Sequence, residues 1–229
     1  MTVESENGEL ERVRVLIEKE VAKDVAPIVD EDPEMAEWLA EVQRDYRTRE
    51  YLFLRWIDRE FFPKRILYPG SGSDTIPRIA FGQDRVVHTS LESYKENDID
   101  YFPILGMGHK IVADFSALPF GDGTFQLILF ANLDRTVTET YLEEILRSME
   151  KNGLLVLITN YLDVDTNDLI LPEGYERIEI PGEFQKPGEA EVRFTVYRKR
   201  QVSSHFTGGE AGKLEKEKGK QDNHDYRGD

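Results

Sequence analysis

The stretch Arg65-Ile-Leu-Tyr-Pro-Gly-Ser-Gly-Ser-Asp74 limits what this chain can fold into more than any other. A short apolar run, Ile66 to Tyr68, enters a Pro-Gly turn. Two glycines one residue apart, Gly70 and Gly72, then lead toward Ile76 to Ala80, which reads as a short helix. The pattern predicts a strand, a tight glycine turn and a helix start. Glycine is wanted there because such a turn needs backbone angles that a Cβ penalises, and because a ligand can lie against main chain free of side chains. At the carboxyl end of the first strand of an α/β sheet, such a turn borders the usual nucleotide-binding crevice.

The flanking pattern agrees. Arg85 to Glu92 reads as a second buried strand with an acid past its end. Lys110 to Asp114 reads as a third, closed by a carboxylate, and Phe125 to Ala131 is almost wholly apolar, as a central parallel strand buried on both faces should be. A helix over about Thr138 to Glu150, stopped by Gly153, leads to a fifth strand, Leu154 to Ile158. Tyr175 to Ile180 and Glu191 to Arg198 read as an antiparallel pair at one edge. The fold class that follows is α/β: a Rossmann-like, mostly parallel sheet with helices on both faces and an antiparallel C-terminal edge hairpin.

Ahead of this unit, Leu10, Val13, Ile17, Val21 and Val25 recur at helical spacing, and Pro27 is expected to break that helix. A second helical stretch runs from about Pro33 to Phe62, mixing aromatic residues with Arg44, Arg47, Arg49, Arg55 and Arg59. It reads either as a helix packed on the sheet or as a lid in which Tyr46, Arg47 or Arg49 faces a ligand's carboxylate. Three segments are expected: an N-terminal helical lid or extension over 1–62, the α/β domain over 63–200, and a polar, charged tail over 201–229 that cannot bury enough surface to order itself.

Composition narrows the function. With 29 Lys and Arg against 45 Asp and Glu, the formal net charge of −16 makes a nucleic-acid phosphate backbone an unlikely main partner. The absence of cysteine removes disulfides, thiolate metal sites and a cysteine nucleophile. No run of about 18 apolar residues and no leader-like start occur, so a cytoplasmic, acidic, soluble protein is the expectation. His88 reads as a strand residue rather than a metal ligand.

In three places the chain resembles the class I S-adenosylmethionine-dependent methyltransferases. Tyr68-Pro-Gly-Ser-Gly-Ser-Asp74 is similar to the family's acid-x-Gly-x-Gly-x-Gly turn. Asp114-Phe-Ser-Ala-Leu-Pro-Phe-Gly-Asp-Gly-Thr-Phe-Gln-Leu-Ile128 resembles its Asp-x-x-x-Leu-Pro-Phe-x-Asp-x-x-Phe-Asp-Leu-Ile pattern, and Leu146 to Val156 its Leu-Lys-Pro-Gly-Gly helix exit and fifth strand. The resemblance spans about Arg65 to Lys199. It implies S-adenosyl-L-methionine as cofactor, with the turn residues Tyr68, Gly70, Ser71 and Gly72 beneath its methionine and ribose parts. It also implies Glu92 or Ser90 at the ribose hydroxyls, Asp114 with the Phe115 backbone at the adenine, and Phe130, Ala131 and Asn132 where the methyl is handed over.

The implied activity is methyl transfer to a small-molecule or protein acceptor. No Asn-Pro-Pro-Tyr-like motif follows the fourth strand, so a nucleic-acid base amine is disfavoured; Asp134 and His109 are the nearest bases. Tyr68 stands at the family's acid position, Asp74 at its last glycine, Ser90 at its ribose acid and Gln126 at its aspartate. The alternative reading is therefore a non-catalytic binding or regulatory module on the same scaffold. A nicotinamide oxidoreductase is disfavoured by Thr75, which occupies the third-glycine position of GxGxxG.

Overall fold

The structure is a computed structural model and describes residues 3–70, 74–90, 110–131, 135–159, 171–186 and 192–200. Two long helices, α1 (Val3–Val29) and α2 (Pro33–Phe61), precede β1 (Ile66–Pro69), α3 (Ile76–Phe81) and β2 (Val86–Ser90). Then come β3 (Lys110–Val112), β4 (Phe125–Ala131), α4 (Arg135–Arg147), β5 (Met149–Thr159), β6 (Tyr175–Ile178), α5 (Gly182–Gln185) and β7 (Arg193–Lys199). The sheet order is β3-β2-β1-β4-β5-β7-β6. Strands β1 to β5 pair in parallel, whereas β7 runs antiparallel to both β5 and β6. This is the expected Rossmann-like sheet, with the antiparallel pair at its C-terminal edge.

Alternation along the strands builds the two layers. Ile66, Tyr68, Leu127, Leu129, Ala131, Leu154, Val156 and Ile158 face α1, α2 and α3 in one core. Their neighbours Leu67, Ile128, Phe130, Leu155 and Leu157 face α4 and the loop before β4 in the other. Each apolar position on these central strands is therefore used on one face or the other, which is why β4 has almost no polar residue. Helix α3, between β1 and β2, and helix α4, between β4 and β5, lie on opposite faces. Right-handed crossovers require that, because the chain steps outward from the sheet's middle in opposite directions.

Several boundaries differ from the expectations. Pro27 does not break α1, which runs two residues further to Val29; in the last turn a missing N–H and one lost carbonyl partner cost little. The chain reverses over three residues, and Asp32 caps α2 by accepting the Met35 N–H at 3.0 Å ahead of Pro33. Helix α4 ends at Arg147, and β5 begins at Met149 rather than at Leu154. Gly153 is therefore not a helix stop. It lies in a bulge, where Phe125 pairs with Met149 and Leu127 with Leu154, and the left-handed residue there is Asn152 at φ 67°.

Helix α2 is docked firmly. Phe53 is fully buried and stacks on Phe194 of β7 at 4.3 Å between centroids, with Phe184 of α5 edge-on at 5.3 Å. No described helix is long and apolar enough to cross a membrane. The expected tail, 201–229, lies outside the described residues.

Candidate functional site

Strand order alone marks one rim of the sheet. From β1 the chain steps to β2 and β3 on one side and then returns to β4 on the other, so the switch point lies between β1 and β4, at the strands' carboxyl ends. Five of the expected positions converge there. Gly70 follows β1 directly, with φ of 65°, and its N–H donates to Thr89 O of β2 at 3.0 Å. A side chain at this φ would be strained, so the turn needs glycine. Ser90 ends β2 in register with Val112 of β3, and Asp114 lies two residues beyond. Phe130 and Ala131 end β4. From the end of β1 to that of β3 is two strand spacings, roughly 10 Å, which is the scale of a nucleoside.

The side chains divide by role. Asp114 is exposed; its Oδ1 accepts the Ser116 N–H at 2.8 Å and its carbonyl accepts the Ala117 N–H at 3.1 Å. Those bonds to Ser116 hold its carboxyl below the ordinary value of 3.8, so it presents a fixed negative charge at the rim. The Phe115 ring is buried edge-on to Tyr141, and Phe130 is buried in the same α4-side core, so neither ring faces the rim's solvent. The loop bearing Asp114 is anchored by α4. Glu144 Oε1 accepts the Leu118 N–H at 2.9 Å, while Arg147 donates to Glu144, to Asp122 at 2.6 Å and to Phe120 O at 2.9 Å. Ser71, Gly72, Glu92, Asn132, His109 and Asp134 lie outside the described residues.

The arginines proposed to face a ligand are engaged within the protein. Arg47 pairs with Glu20 at 2.6 Å and Asp24 at 2.7 Å, both on α1, and Arg49 donates to Lys186 O. Tyr46 is buried.

Beside the turn lies a buried and half-buried polar cluster that joins Tyr68 and Asp74 to Glu50, Thr75 and Glu20, three residues that the sequence pattern did not single out as site residues. Tyr68 is buried at the end of β1, tilted against His88 at 5.4 Å, and its hydroxyl donates to Asp74 Oδ2 at 2.6 Å. Asp74 Oδ1 accepts the Ile76 N–H at 2.9 Å at the start of α3. The carboxyl of Glu50, from α2, lies within hydrogen-bond reach of Asp74. On the α1 side, Thr75 donates to Glu20. Burial raises the Tyr68 phenol and the Glu50 carboxyl well above their ordinary ranges, and desolvation also raises Asp74 and Glu20. A signal for Glu50 was present: Tyr46, Glu50, Leu54 and Ile57 form one buried stripe, so a carboxylate stands where periodicity predicts core. No described cluster of His, Asp and Glu could hold a metal ion.

No protein-family model matches the chain, and no curated protein does. Solved structures do resemble it in fold. One is PH0226 from Pyrococcus horikoshii, at 14% identity over 68% of this chain and 91% of that one, with a TM-score of 0.45. TrmN from Thermus thermophilus is similar at 19% identity over 67% of this chain and 48% of that one, with a TM-score of 0.47. A third is the Burkholderia thailandensis 1,6-didemethyltoxoflavin-N1-methyltransferase solved with S-adenosylhomocysteine, at 12% identity over 66% and 78%, with a TM-score of 0.45. At these identities and TM-scores the likeness does not bear on activity.

Proposed function

We propose that the chain binds S-adenosyl-L-methionine across the β1–β4 switch point and transfers its methyl group to a small-molecule or protein acceptor. The observation that carries this reading is Gly70, left-handed at the end of β1, with the exposed, ionised Asp114 two strands away on the same rim. Gly70 leaves main chain open to the ligand's sugar and methionine parts, and Asp114 is an acceptor for the adenine amino group. Ser90, with Glu92, is assigned to the ribose hydroxyls, and Ser71, Gly72, Asn132 and the backbones of Tyr68, Phe115 and Phe130 complete the proposed site.

When bound, the cofactor supplies a methyl on a cationic sulfonium, already a good leaving group. The protein's part is to hold the acceptor in line with that methyl and to exclude water, with a base only where the acceptor must lose a proton. Titration calorimetry with S-adenosylmethionine tests the proposal. Micromolar binding is expected, weakened roughly ten- to a hundredfold in Asp114→Ala and abolished in Gly70→Arg. No heat at millimolar cofactor overturns it.

The second reading, a binding module without turnover, draws on Tyr68 and Asp74, the two departures from the family's turn, being bonded to each other. Tight binding without methyl transfer to any acceptor would favour that reading.

A further inference from the structure

Glu50 poses a problem of charge. It is fully buried, and neither of its carboxyl oxygens meets a hydrogen-bond donor among the described residues, although the carboxyl of Asp74 is within hydrogen-bond reach. An ionised carboxylate only accepts, so two facing carboxylates form no bond and repel; a protonated one gains a donor. Asp74 already accepts from the Tyr68 hydroxyl and the Ile76 N–H, as an ionised carboxylate should. No space opens onto Glu50 for a ligand cation, since its side chain has no exposed surface.

We propose that Glu50 and Asp74 share one proton, donated by Glu50, which fastens α2 to the turn between β1 and α3 and makes the seating of the α1–α2 hairpin pH-dependent. The surrounding charges leave room for one proton. Arg47 of α2 favours the carboxylates but is already bound to Glu20 and Asp24 of α1. Glu20 adds repulsion. From β1 comes the neutral Tyr68, from α2 also Tyr46, and from β2 His88 against the Tyr68 ring. Neither Glu50 nor Asp74 is among the residues assigned to the proposed site.

The sign follows from linkage. Glu50 holds its proton more tightly folded than unfolded, so its stabilisation is complete below the ordinary carboxyl value of 4.5 and is lost as pH rises toward the folded-state value. Asp74 shifts in the same direction. Exposed carboxyls with lowered values, such as Asp114, act oppositely, so a difference between variants is needed to isolate the pair.

In Glu50→Gln the amide donates permanently to Asp74. Its folding constant relative to the wild type is expected to rise up to tenfold per pH unit above about 4.5, seen as a widening gap in melting temperature. Infrared spectra of the wild type at pH 7 should show a neutral-carboxyl carbonyl band that Glu50→Gln removes. Asp74→Asn, whose amide can donate to Glu50, should remove it as well. Alkaline titration should bleach the wild-type band together with a change in tryptophan emission, because both tryptophans, Trp38 and Trp56, lie on α2. A wild-type spectrum without that band at pH 7 overturns the proposal even if a variant fails to fold, and so does a melting-temperature gap that does not change with pH.

Discussion

Two glycines in this chain answer to different physics. Gly70 is fixed by conformation, through its φ of 65°; Gly153 is fixed by space. A Cβ at Gly153 would stand 2.5 Å from Met149 Cγ and 2.9 Å from Glu150 O, and Met149 is itself buried in the α4-side core. Neither neighbour can yield without disturbing the Phe125–Met149 pairing that opens β5. Gly153→Ala should therefore destabilise the protein by about 1–3 kcal/mol, with the shift seen in denaturant midpoint at unchanged slope. An Ala that left the midpoint in place would mean that the bulge is softer than its contacts imply. Tyr68 and Asp74 show the complementary case, since neither is fixed by backbone angle or by space and the hydrogen bond between them ties the end of β1 to the start of α3.

Among the elements, α2 is tied to the sheet by polar as well as apolar contacts, and Asp58 is the hub. Only 6% exposed, it accepts from both Arg85 nitrogens at 2.7 and 3.1 Å and from Arg55 at 3.2 Å. Arg85 further reaches Pro63 O, and Arg55 reaches Ala80 O. One carboxylate thus joins α2, α3 and the connection into β1. Asp58→Ala removes three charge-assisted bonds from an almost wholly buried carboxylate and should cost about 3 kcal/mol in urea unfolding, while Asp58→Asn should cost less by keeping part of the fork. Equal losses in the two variants would show that charge matters little there.

Apolar patterns made most of this architecture legible from sequence: the α1 stripe, the run of β4 and the alternating edge strands each led to the element that the structure has. What failed was punctuation. Pro27 was harmless because it fell in a last turn, and Gly153 marked a bulge because strand pairing resumed before it. Backbone direction made the rim legible, since Gly70, Ser90 and Asp114 each fall at or just past the carboxyl end of one of three adjacent parallel strands. Glu50 was hidden because a charge on a buried stripe looks like an error of phase until its partner 24 positions further on, Asp74, is brought beside it by the fold.

At the scale of the whole molecule, the question is whether the N-terminal hairpin is a separable cover or part of the folding unit. Val13, Ile17, Val21 and Val25 of α1, and Phe53, Leu54 and Ile57 of α2, belong to the same buried cluster as β1, β4, β5 and β7. Without the hairpin, the strand residues on that face, from Ile66 to Val196, would be exposed, and a sheet face that size does not stay folded in water. Ion pairs add little to this, because those on the surface, such as Arg44 with Glu18, contribute under about 1 kcal/mol. Heating should therefore melt hairpin and sheet in one calorimetric transition, with the van't Hoff and calorimetric enthalpies equal. Hydrogen exchange at neutral pH should protect the amides around Phe53 as well as those of β4, since both open only with the whole core. If the α1–α2 amides instead exchange orders of magnitude faster than β4, the hairpin is a cover that lifts by itself. The polar contacts of Glu50 and Asp58 would then govern its opening.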